Sequence, residues 1–306
     1  MQAASHLFII NFNLTKTLFM TLCLAWKNGD RIRFASDSRI SFDDDQYSDV
    51  GIKVMEVSVK IDNPIPYETG IVTTAYNYKL GMCFAGSTTN AYLIKETIND
   101  VLQRLQFTPF CEDFSLRGIC RVIEKFVAST SGALRDGLGM DPNIEFLIGG
   151  FCPENQRVMV YKFELIDCHD HYEIMVDEVL DDEDDYISLG SGTTRAEEII
   201  LERGIASENT LFKVLREVCQ DEDIPDVGGL LQYGHFENDG NFKVFGVADY
   251  RIKEDDLLEY IYVYRGTLLY REEFEIDERN LHIAQKFIMP FEDEIKEYWK
   301  QQGLDS

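Results

Sequence analysis

Thr21, Asp37 and Lys53 have side chains that could together carry out nucleophilic hydrolysis, and sixteen positions separate each of them from the next. A threonine hydroxyl is a poor nucleophile until a nearby base takes its proton. The α-amino group of an N-terminal threonine can be that base, because its reference pKa is about 7.7 to 8.0. A nearby lysine ammonium favours the neutral amine and the alkoxide, and an aspartate can pair with the lysine and fix its position. These residue types suit acyl transfer on a threonine, which requires Thr21 to become the first residue of the chain.

Other kinds of catalytic chemistry have little support in the sequence. There are only five histidines, and the seven cysteines are widely scattered with no C-x-x-C pair. This cysteine usage favours reduced thiols in the cytoplasm. Cys168-His169-Asp170-His171 has metal-ligand residue types, but alternate side chains of a strand point to opposite faces. We therefore expect no metal and no other cofactor.

The charge of the chain narrows the classes of partner. The 306 residues include 29 Lys and Arg against 55 Asp and Glu, a formal net charge of −26. A surface of this charge repels phosphate backbones and anionic lipid headgroups. No uncharged apolar stretch reaches the length of about 18 residues that a membrane span needs. We therefore expect a cytoplasmic protein with no nucleic-acid partner and no membrane partner.

The elements that must position Thr21, Asp37 and Lys53 follow from the hydrophobic pattern. Asn28-Gly29 between two short runs predicts a β-hairpin, and alternating segments after it predict a sheet of four or more strands. Apolar spacings of three and four then predict helices over residues 90–107 and 113–134, and Gly137 and Gly139 end the second of them. Further strands, two more helices over 193–204 and 206–220, and a last group of strands follow.

This order of elements predicts an α+β fold, namely a four-layer αββα sandwich in which outer helices cover two packed antiparallel sheets. We divide the chain into three parts. Residues 1–20 form an N-terminal extension, which is either a propeptide or the product of a mis-assigned start. Residues 21–250 form the sandwich domain, and residues 251–306 form a C-terminal extension that packs on or beside it.

Several short segments resemble proteasome β-type subunits and their HslV-like and Anbu-like relatives, the threonine members of the N-terminal nucleophile hydrolases. Thr21-Leu22-Cys23-Leu24-Ala25 resembles the family's first strand, Ala35-Ser36-Asp37-Ser38-Arg39 has its A-x-D-x-R turn, and Gly51-Ile52-Lys53 leads to its lysine. Cys83-Phe84-Ala85-Gly86 and Gly190-Ser191-Gly192 are similar to two later turns, and the strand at 147–151 has a counterpart. The resemblance covers Thr21 to about Tyr250, roughly three quarters of the chain.

The resemblance implies roles for further residues. The N–H of Gly86 faces the oxyanion of the reaction, and Ser191 forms a hydrogen bond with the amine or with a bridging water, although a serine there could equally be a helix cap. The family also has an aspartate followed three positions later by a serine and a glycine pair. Here Val227 stands in place of that serine, and the sequence leaves open whether Asp223 or Asp226 is the supporting aspartate. The substrate pocket is assigned to Ile40, Ser41, Phe84 and Thr88.

We therefore expect a threonine-type endopeptidase that hydrolyses peptide bonds and is active only when Thr21 is N-terminal. Removal of residues 1–20 could occur by self-cleavage, or translation could start at Met20 with ordinary loss of that methionine; the second route is favoured. The resemblance implies a homo-oligomeric ring that encloses polypeptide substrates, with an unfoldase or adaptor as a partner. Two alternatives stay open: a non-catalytic scaffold or sensor subunit, and an amidohydrolase of this type acting on a small-molecule amide.

Overall fold

The computed structural model describes residues 21–43, 46–66, 70–110, 114–168, 172–182, 185–205, 207, 209–253, 257–269 and 285–302. In chain order the strands are β1 (Cys23–Asn28), β2 (Arg31–Ser36), β3 (Ile40–Asp43), β4 (Gln46–Ser48), β5 (Val54–Asp62), β6 (Thr74–Gly86), β7 (Leu105–Gln106), β8 (Ile144–Cys152), β9 (Arg157–Asp167), β10 (Tyr172–Val179), β11 (Tyr186–Leu189), β12 (Gln232–Phe236), β13 (Phe242–Ile252), β14 (Leu258–Tyr264), β15 (Thr267–Leu268) and β16 (Phe287–Ile288). The α-helices are α1 (Thr88–Val101), α2 (Leu116–Leu138), α3 (Thr193–Arg203), α4 (Thr210–Gln220) and α5 (Glu292–Gln301). The predicted α+β class is confirmed in these residues. The proposed N-terminal extension, residues 1–20, lies outside them.

The larger sheet brings the first strand of the chain beside strands from its second half. Its order is β11-β1-β2-β12-β13-β14-β15, and all of these neighbours pair antiparallel. The predicted hairpin at Asn28-Gly29 is confirmed as the β1–β2 turn, where Gly29 has a φ of 56°. That angle lies in the left-handed region, which glycine adopts without steric cost. The short β16 joins β13 in parallel, a pairing that the expected antiparallel sheet did not include.

The smaller sheet contains the strand that follows Lys53. Its order is β10-β9-β8-β6-β5-β7, antiparallel except for the short parallel pair of β5 with β7. The long strand β6 runs from Thr74 to Gly86 and leads directly into α1. Consequently α1 starts at the end of the sheet where the interior strand β6 terminates. A separate two-stranded sheet, β3 with β4, follows the Asp37 turn.

Hydroxyl side chains and glycines mark the helix ends. Ser87 caps α1 by accepting a hydrogen bond from the Asn90 N–H, and Ser115 caps α2 in the same way. Gly139 ends α2 with a φ of 64°, as the sequence predicts. The last of the four predicted helices starts later than expected, at Thr210 rather than near Ser207. Ser207 instead donates its backbone N–H to the Thr210 hydroxyl, so it belongs to the turn that precedes the helix.

Buried apolar side chains form three clusters. The first combines the smaller sheet with α1 and α2, and Phe84 and Ile123 belong to it. The second combines the larger sheet with α3 and α4, and Trp26 and Leu215 are members. The third contains residues of both sheets, such as Phe34 of β2 and Leu147 of β8, so the two sheets contact each other through apolar side chains. Among the described helices, none is long and apolar enough to cross a membrane.

The described part of the C-terminal segment is continuous with the larger sheet. The expected boundary at residue 250 falls inside β13, and β14 pairs with β13 along its length. Phe291 at the start of α5 is fully buried in the second cluster. Arg216 of α4 binds Glu294 of α5 and stacks on the Phe291 ring. These contacts fix the C-terminal segment against the helices of the larger sheet.

The Phe242 side chain packs between the two sheets, and its truncation tests how much that contact contributes to stability. Its ring lies where a side chain at Gly81 of β6 would be, with an added Cβ meeting it at 2.5 Å. We expect Phe242→Ala to lower the free energy of unfolding by about 3 to 5 kcal/mol, because the ring is fully buried and leaves a cavity. Urea unfolding followed by circular dichroism measures the change. Phe110→Ala is the matched control, since Phe110 is 86% exposed and its truncation should change stability by less than about 0.5 kcal/mol. Equal losses of stability in the two variants would show that the Phe242 contact between the sheets contributes nothing.

Candidate active site

Thr21 lies at the entrance to β1 with its hydroxyl against a buried lysine. The residue is only 1% exposed, and its Oγ1 accepts a hydrogen bond from the Lys53 Nζ. Lys53 directly precedes β5 and is itself 1% exposed. A lysine ammonium has three donors and no acceptor, so the contact directs positive charge at the threonine oxygen. The structure therefore brings together the threonine and the lysine that the sequence singles out.

Asp37 completes this group from the end of β2. One carboxylate oxygen accepts from Lys53 Nζ at 2.8 Å and from the Leu22 N–H at 3.1 Å. The other oxygen accepts from the N–H groups of Arg39 and Gly228, each at 3.1 Å. A buried ion pair is tolerated only when its remaining hydrogen-bonding capacity is satisfied. These backbone donors meet that condition, and they fix the carboxylate opposite the lysine.

Gln232 joins the Asp37 turn to the Lys53 strand, and sequence reasoning missed it. Its side-chain oxygen accepts from the Lys53 N–H at 3.0 Å, while its side-chain nitrogen donates to the carbonyls of Gly51 at 2.6 Å and Asp37 at 3.2 Å. The residue is 1% exposed. The available signal was a single amide residue inside the apolar run Leu230-Leu231-Gln232-Tyr233. A buried amide needs partners, but the run does not indicate which part of the chain supplies them.

The Gly190-Ser191-Gly192 turn holds the backbone of Thr21. The Thr21 N–H donates to Ser191 Oγ at 3.4 Å, and the Gly192 N–H donates to the Thr21 carbonyl at 3.2 Å. Gly190 has a φ of 95°, and a Cβ there would collide with the Thr21 carbonyl. Glu145 of β8 anchors the turn by accepting the Gly190 N–H at 2.8 Å. Ser191 thus lies at the nitrogen that would become the free amine.

Gly86 lies at the end of β6, beside the same turn. Its φ of 103° is in a region that favours glycine. The preceding Ala85 has its Cβ 3.2 Å from the position that a Cβ on Gly190 would take. Two residues before Gly86, the Phe84 carbonyl accepts a hydrogen bond from Cys23 Sγ at 2.9 Å. The end of β6 is therefore attached to the strand that begins after Thr21.

The segment around the glycine pair contributes backbone rather than carboxylate to this group. Asp223 is exposed and Asp226 is half-buried, whereas the Gly228 N–H reaches the Asp37 carboxylate. Val227, at the position where the resemblance predicts a serine, is 1% exposed. Its Cγ2 lies 3.0 Å from the position that a Cβ on Gly192 would occupy. An apolar contact with the Gly190 to Gly192 turn thus occupies the place of that hydroxyl.

The four residues assigned to the substrate pocket lie on three elements. Ile40 and Ser41 are half-buried on β3, and Thr88 is half-buried at the first position of α1. The Phe84 ring is fully buried and lies edge-to-face with Tyr92, 6.0 Å between centroids. Tyr92 is one helical turn after Thr88, and its hydroxyl accepts the Ile52 N–H at 2.9 Å. Tyr92 is therefore a second residue near the site that sequence reasoning missed.

The thiols near the site are buried. Cys23 is fully buried, and its Sγ donates to the Phe84 carbonyl and lies 3.1 Å from the Ser36 hydroxyl. Burial and the neighbouring Cys23 raise the pKa of the Cys83 thiol well above its usual value. A buried protonated thiol is a weak nucleophile, which disfavours Cys83 as a reacting group. In the described ranges the six cysteines are free thiols, and no group of three or more His, Cys, Asp or Glu side chains is arranged to hold a metal ion.

Comparison with solved structures defines the class of fold. Anbu (ancestral β-subunit) from Yersinia bercovieri matches with a TM-score of 0.51 and 16% identity, covering 77% of this chain and 88% of that chain. The Anbu (Gly-1) mutant from Hyphomicrobium sp. strain MC1 matches with a TM-score of 0.50 and 15% identity, covering 73% and 86%. The helical assembly of the Anbu complex from Pseudomonas aeruginosa matches with a TM-score of 0.51 and 16% identity, covering 77% and 88%. No protein-family model matches the chain, and no curated protein sequence matches it.

The fold is therefore proteasome-like. Within that class, the three solved structures described above are Anbu proteins, at an identity that supports the likeness of fold and nothing finer. The chain shares with them most of the length of one subunit.

Replacing Gln232 tests its part in joining the Asp37 turn to the Lys53 strand. We expect Gln232→Leu to lower the free energy of unfolding by about 2 to 5 kcal/mol, since it leaves a buried N–H and two buried carbonyls without partners, each at about 1 to 3 kcal/mol and not strictly additive. Chemical unfolding monitored by tryptophan fluorescence gives the value. Gln103→Leu is the control, because Gln103 is exposed and should change stability by less than about 0.5 kcal/mol. A loss for Gln232→Leu no greater than that of the control would show that the bridge contributes no stability.

Proposed function

We propose that the protein is a threonine-type peptidase of the N-terminal nucleophile class, built on a four-layer αββα sandwich, with Thr21 as its nucleophile after removal of residues 1–20. The observation that carries the proposal is the buried chain of contacts from Thr21 Oγ1 through Lys53 Nζ to Asp37 Oδ1. A solvated strand lysine would have no reason to be 1% exposed between a hydroxyl and a carboxylate. Positive charge fixed at a hydroxyl oxygen stabilises the alkoxide that attack requires.

The first step of the proposed reaction is proton transfer from Thr21 Oγ1 to its own α-amino group. The neutral amine accepts the proton as Oγ1 attacks the carbonyl carbon of the scissile peptide bond. Ser191 Oγ, at 3.4 Å from the same nitrogen, is within reach to orient the amine or a bridging water. Lys53 stabilises the developing negative charge on Oγ1, and Asp37 keeps the ammonium in place.

The second step is collapse of the tetrahedral intermediate. Its oxyanion accepts the Gly86 N–H, a contact whose loss costs about 2.7 to 4 kcal/mol in comparable hydrolases. The α-ammonium returns its proton to the leaving amine, and the carbonyl carbon stays esterified to Oγ1. Water, deprotonated by the same amine, then attacks the ester and releases the carboxylic acid product together with free Thr21.

The chemistry depends on a free nitrogen at Thr21. A peptide bond to Met20 makes this nitrogen an amide, which has no basicity at neutral pH, so the uncut chain is inactive. Its N–H donates to Ser191, which is the geometry that the amine would take over. Self-cleavage and removal of Met20 by ordinary methionine processing both produce the same mature residue.

Assembly is part of the proposal. The Anbu complex from Pseudomonas aeruginosa is described as a helical assembly, which supports an oligomer of this chain as well. We propose a cytoplasmic homo-oligomer, as a ring or a helical array, that encloses sites acting on polypeptides delivered by an unfoldase or adaptor. The net charge of −26 disfavours nucleic acids as substrates, because an acidic surface repels their phosphate backbones.

One observation favours a second candidate, a non-catalytic scaffold subunit with the same fold. Val227 replaces the serine of related sequences and is packed against Gly192, so one polar group of the resembling site is absent. The contacts of Lys53 with Thr21 and with Asp37 favour the enzyme. The state of the Thr21 nitrogen distinguishes the two candidates.

Intact mass and N-terminal sequencing of the protein, expressed from its natural translation signals, test the proposal directly. We expect a chain that starts at Thr21 and hydrolyses peptides, and a Thr21→Ala version whose turnover falls on the order of 10⁴-fold. Thr21→Ser should keep measurable activity because it retains the hydroxyl. Thr89→Ala, at an exposed position of α1, is the matched control and should retain full turnover. A chain that uniformly starts at Met1 would leave the nitrogen an amide and make the scaffold the better assignment.

The pH dependence of hydrolysis identifies the base. The amine must be neutral, so kcat/KM should fall as the pH drops through the amine pKa, with a midpoint at or below about 7.7 to 8.0 because Lys53 disfavours a second positive charge. Measurement of kcat/KM between about pH 5 and 9 on the mature chain gives the midpoint. A variant with one serine inserted before Thr21 should be inactive across the range. Activity that is independent of pH, or retained by the extended variant, would exclude the amine as the base.

A further inference from the structure

The turn between β14 and β15 packs directly on the residues that build the site. A Cβ added to Gly266 would lie 2.9 Å from Ser38 Cβ, 3.2 Å from the Gly51 carbonyl oxygen and 3.5 Å from Gln232 Nε2. Gly266 is buried and has a φ of 75°. The C-terminal segment therefore contacts the Asp37 turn and the start of the Lys53 strand, which are the parts of the chain nearest to Thr21.

Arg265, the residue before this glycine, is the first of the two loop residues in the β14–β15 hairpin, because Tyr264 pairs with Thr267 on either side of it. The φ values of 51° at Arg265 and 75° at Gly266 are those of a type I′ turn, the usual two-residue hairpin connection. This tight turn fixes the backbone of Arg265 next to the contacts that Gly266 makes.

The Arg265 side chain carries a cation without a partner in the described part of the chain. The residue is half-buried, and its Nε is shielded from solvent with no hydrogen-bond acceptor among the described residues. The neighbouring cations are all matched, because Lys53 pairs with Asp37 and Arg39 forms a two-point contact with Asp49. A buried donor left unsatisfied costs about 1 to 3 kcal/mol. An anion that accepted from Arg265 would recover that cost.

Tyr92 locates the Arg265 charge relative to the site. Burial raises the pKa of the Tyr92 hydroxyl, whereas the hydrogen bond from Ile52 and the positive charge of Arg265 oppose that rise. The Arg265 guanidinium is thus close to Tyr92, whose hydroxyl binds the residue before Lys53. Tyr92 follows Thr88 by one turn of α1.

The remaining side of this region is formed by Ile40. Its Cδ1 lies 2.7 Å from the position of a Cβ on Gly51, so that only glycine fits between Ile40 and the strand. Ile40, assigned to the pocket from the sequence, therefore contacts the same Gly51 against which the Arg265-Gly266 turn packs. Arg265 comes from the segment after residue 250, which the resemblance to known hydrolases does not cover.

We propose that Arg265 sets substrate preference, by binding the carboxylate of an aspartate or glutamate side chain at the residue that donates the acyl group. This inference rests on the proposed function. A guanidinium presents donors in a planar fork that matches a carboxylate at two points. The acidic side chain supplies the acceptor that Nε lacks, while the scissile carbonyl carbon meets Thr21 Oγ1.

The test compares fluorogenic tetrapeptides that differ only in the residue before the scissile bond, with Glu, Asp, Gln and Lys as the four versions. On the mature chain we expect kcat/KM for Glu to exceed that for its neutral isostere Gln by about 10- to 100-fold, the range of a charge-assisted hydrogen bond. Arg265→Gln should abolish the difference, and Arg265→Glu should reverse it in favour of Lys. Arg104→Gln removes the same charge from an exposed helix end and should leave the preference unchanged. Equal rates for Glu and Gln on the unaltered protein would overturn the proposal.

Binding separates failure of this proposal from failure of the peptidase. The Thr21→Ala chain starting at position 21 cannot form an acyl-enzyme, and fluorescence polarisation measures its affinity for labelled peptides that end in Glu or Gln. One outcome is tighter binding of the Glu peptide that is lost in Thr21→Ala/Arg265→Gln, together with no turnover by the unaltered chain. This outcome would support the proposed role of Arg265 in binding and contradict the proposed peptidase activity. Turnover with no difference between the Glu and Gln peptides in either assay would do the opposite.

Discussion

The ion pair between Lys53 and Asp37 lies in a part of the molecule from which water is excluded, and this imposes a condition on everything around it. Moving two charges out of water costs several kcal/mol for each ion unless close contacts replace the lost hydration. Here the replacement comes from far apart in the chain: the backbone of Leu22, the Arg39 N–H and the Gly228 N–H bind the carboxylate. The buried Lys53–Asp37 ion pair is therefore stable only because strands from both sheets meet at this point.

Local patterns predicted the elements well because each is determined by neighbouring residues. Asn28-Gly29 specifies its turn, and the spacing of apolar residues with Gly139 specifies α2. The family resemblance of the short segments around Thr21 and Lys53 also indicated two members of the contact group. These signals concern conformations and residue types that a short stretch of chain is sufficient to determine.

Contacts that depend on packing between distant segments gave no comparable signal. Gln232 binds backbone groups almost two hundred positions earlier, and no periodicity relates it to Asp37. The supporting carboxylate expected at Asp223 or Asp226 is a similar case, because the neighbouring Gly228 presents a backbone N–H that any residue type carries. Arg265 lies in the part of the chain that the sequence assigned to a C-terminal extension. The pairing of β14 with β13, which no local pattern indicates, brings its turn back to the Asp37 loop.

The contact of Gly266 with Ser38 and Gln232 has a consequence for the time at which the site becomes complete during synthesis. The ribosome releases Thr21 early, but the turn that packs beside the Asp37 loop emerges only near the end of translation. A nascent chain therefore carries its hydroxyl for most of its synthesis without the wall that Gly266 and Arg265 provide. The group of contacts around Thr21 is therefore complete only in a finished subunit.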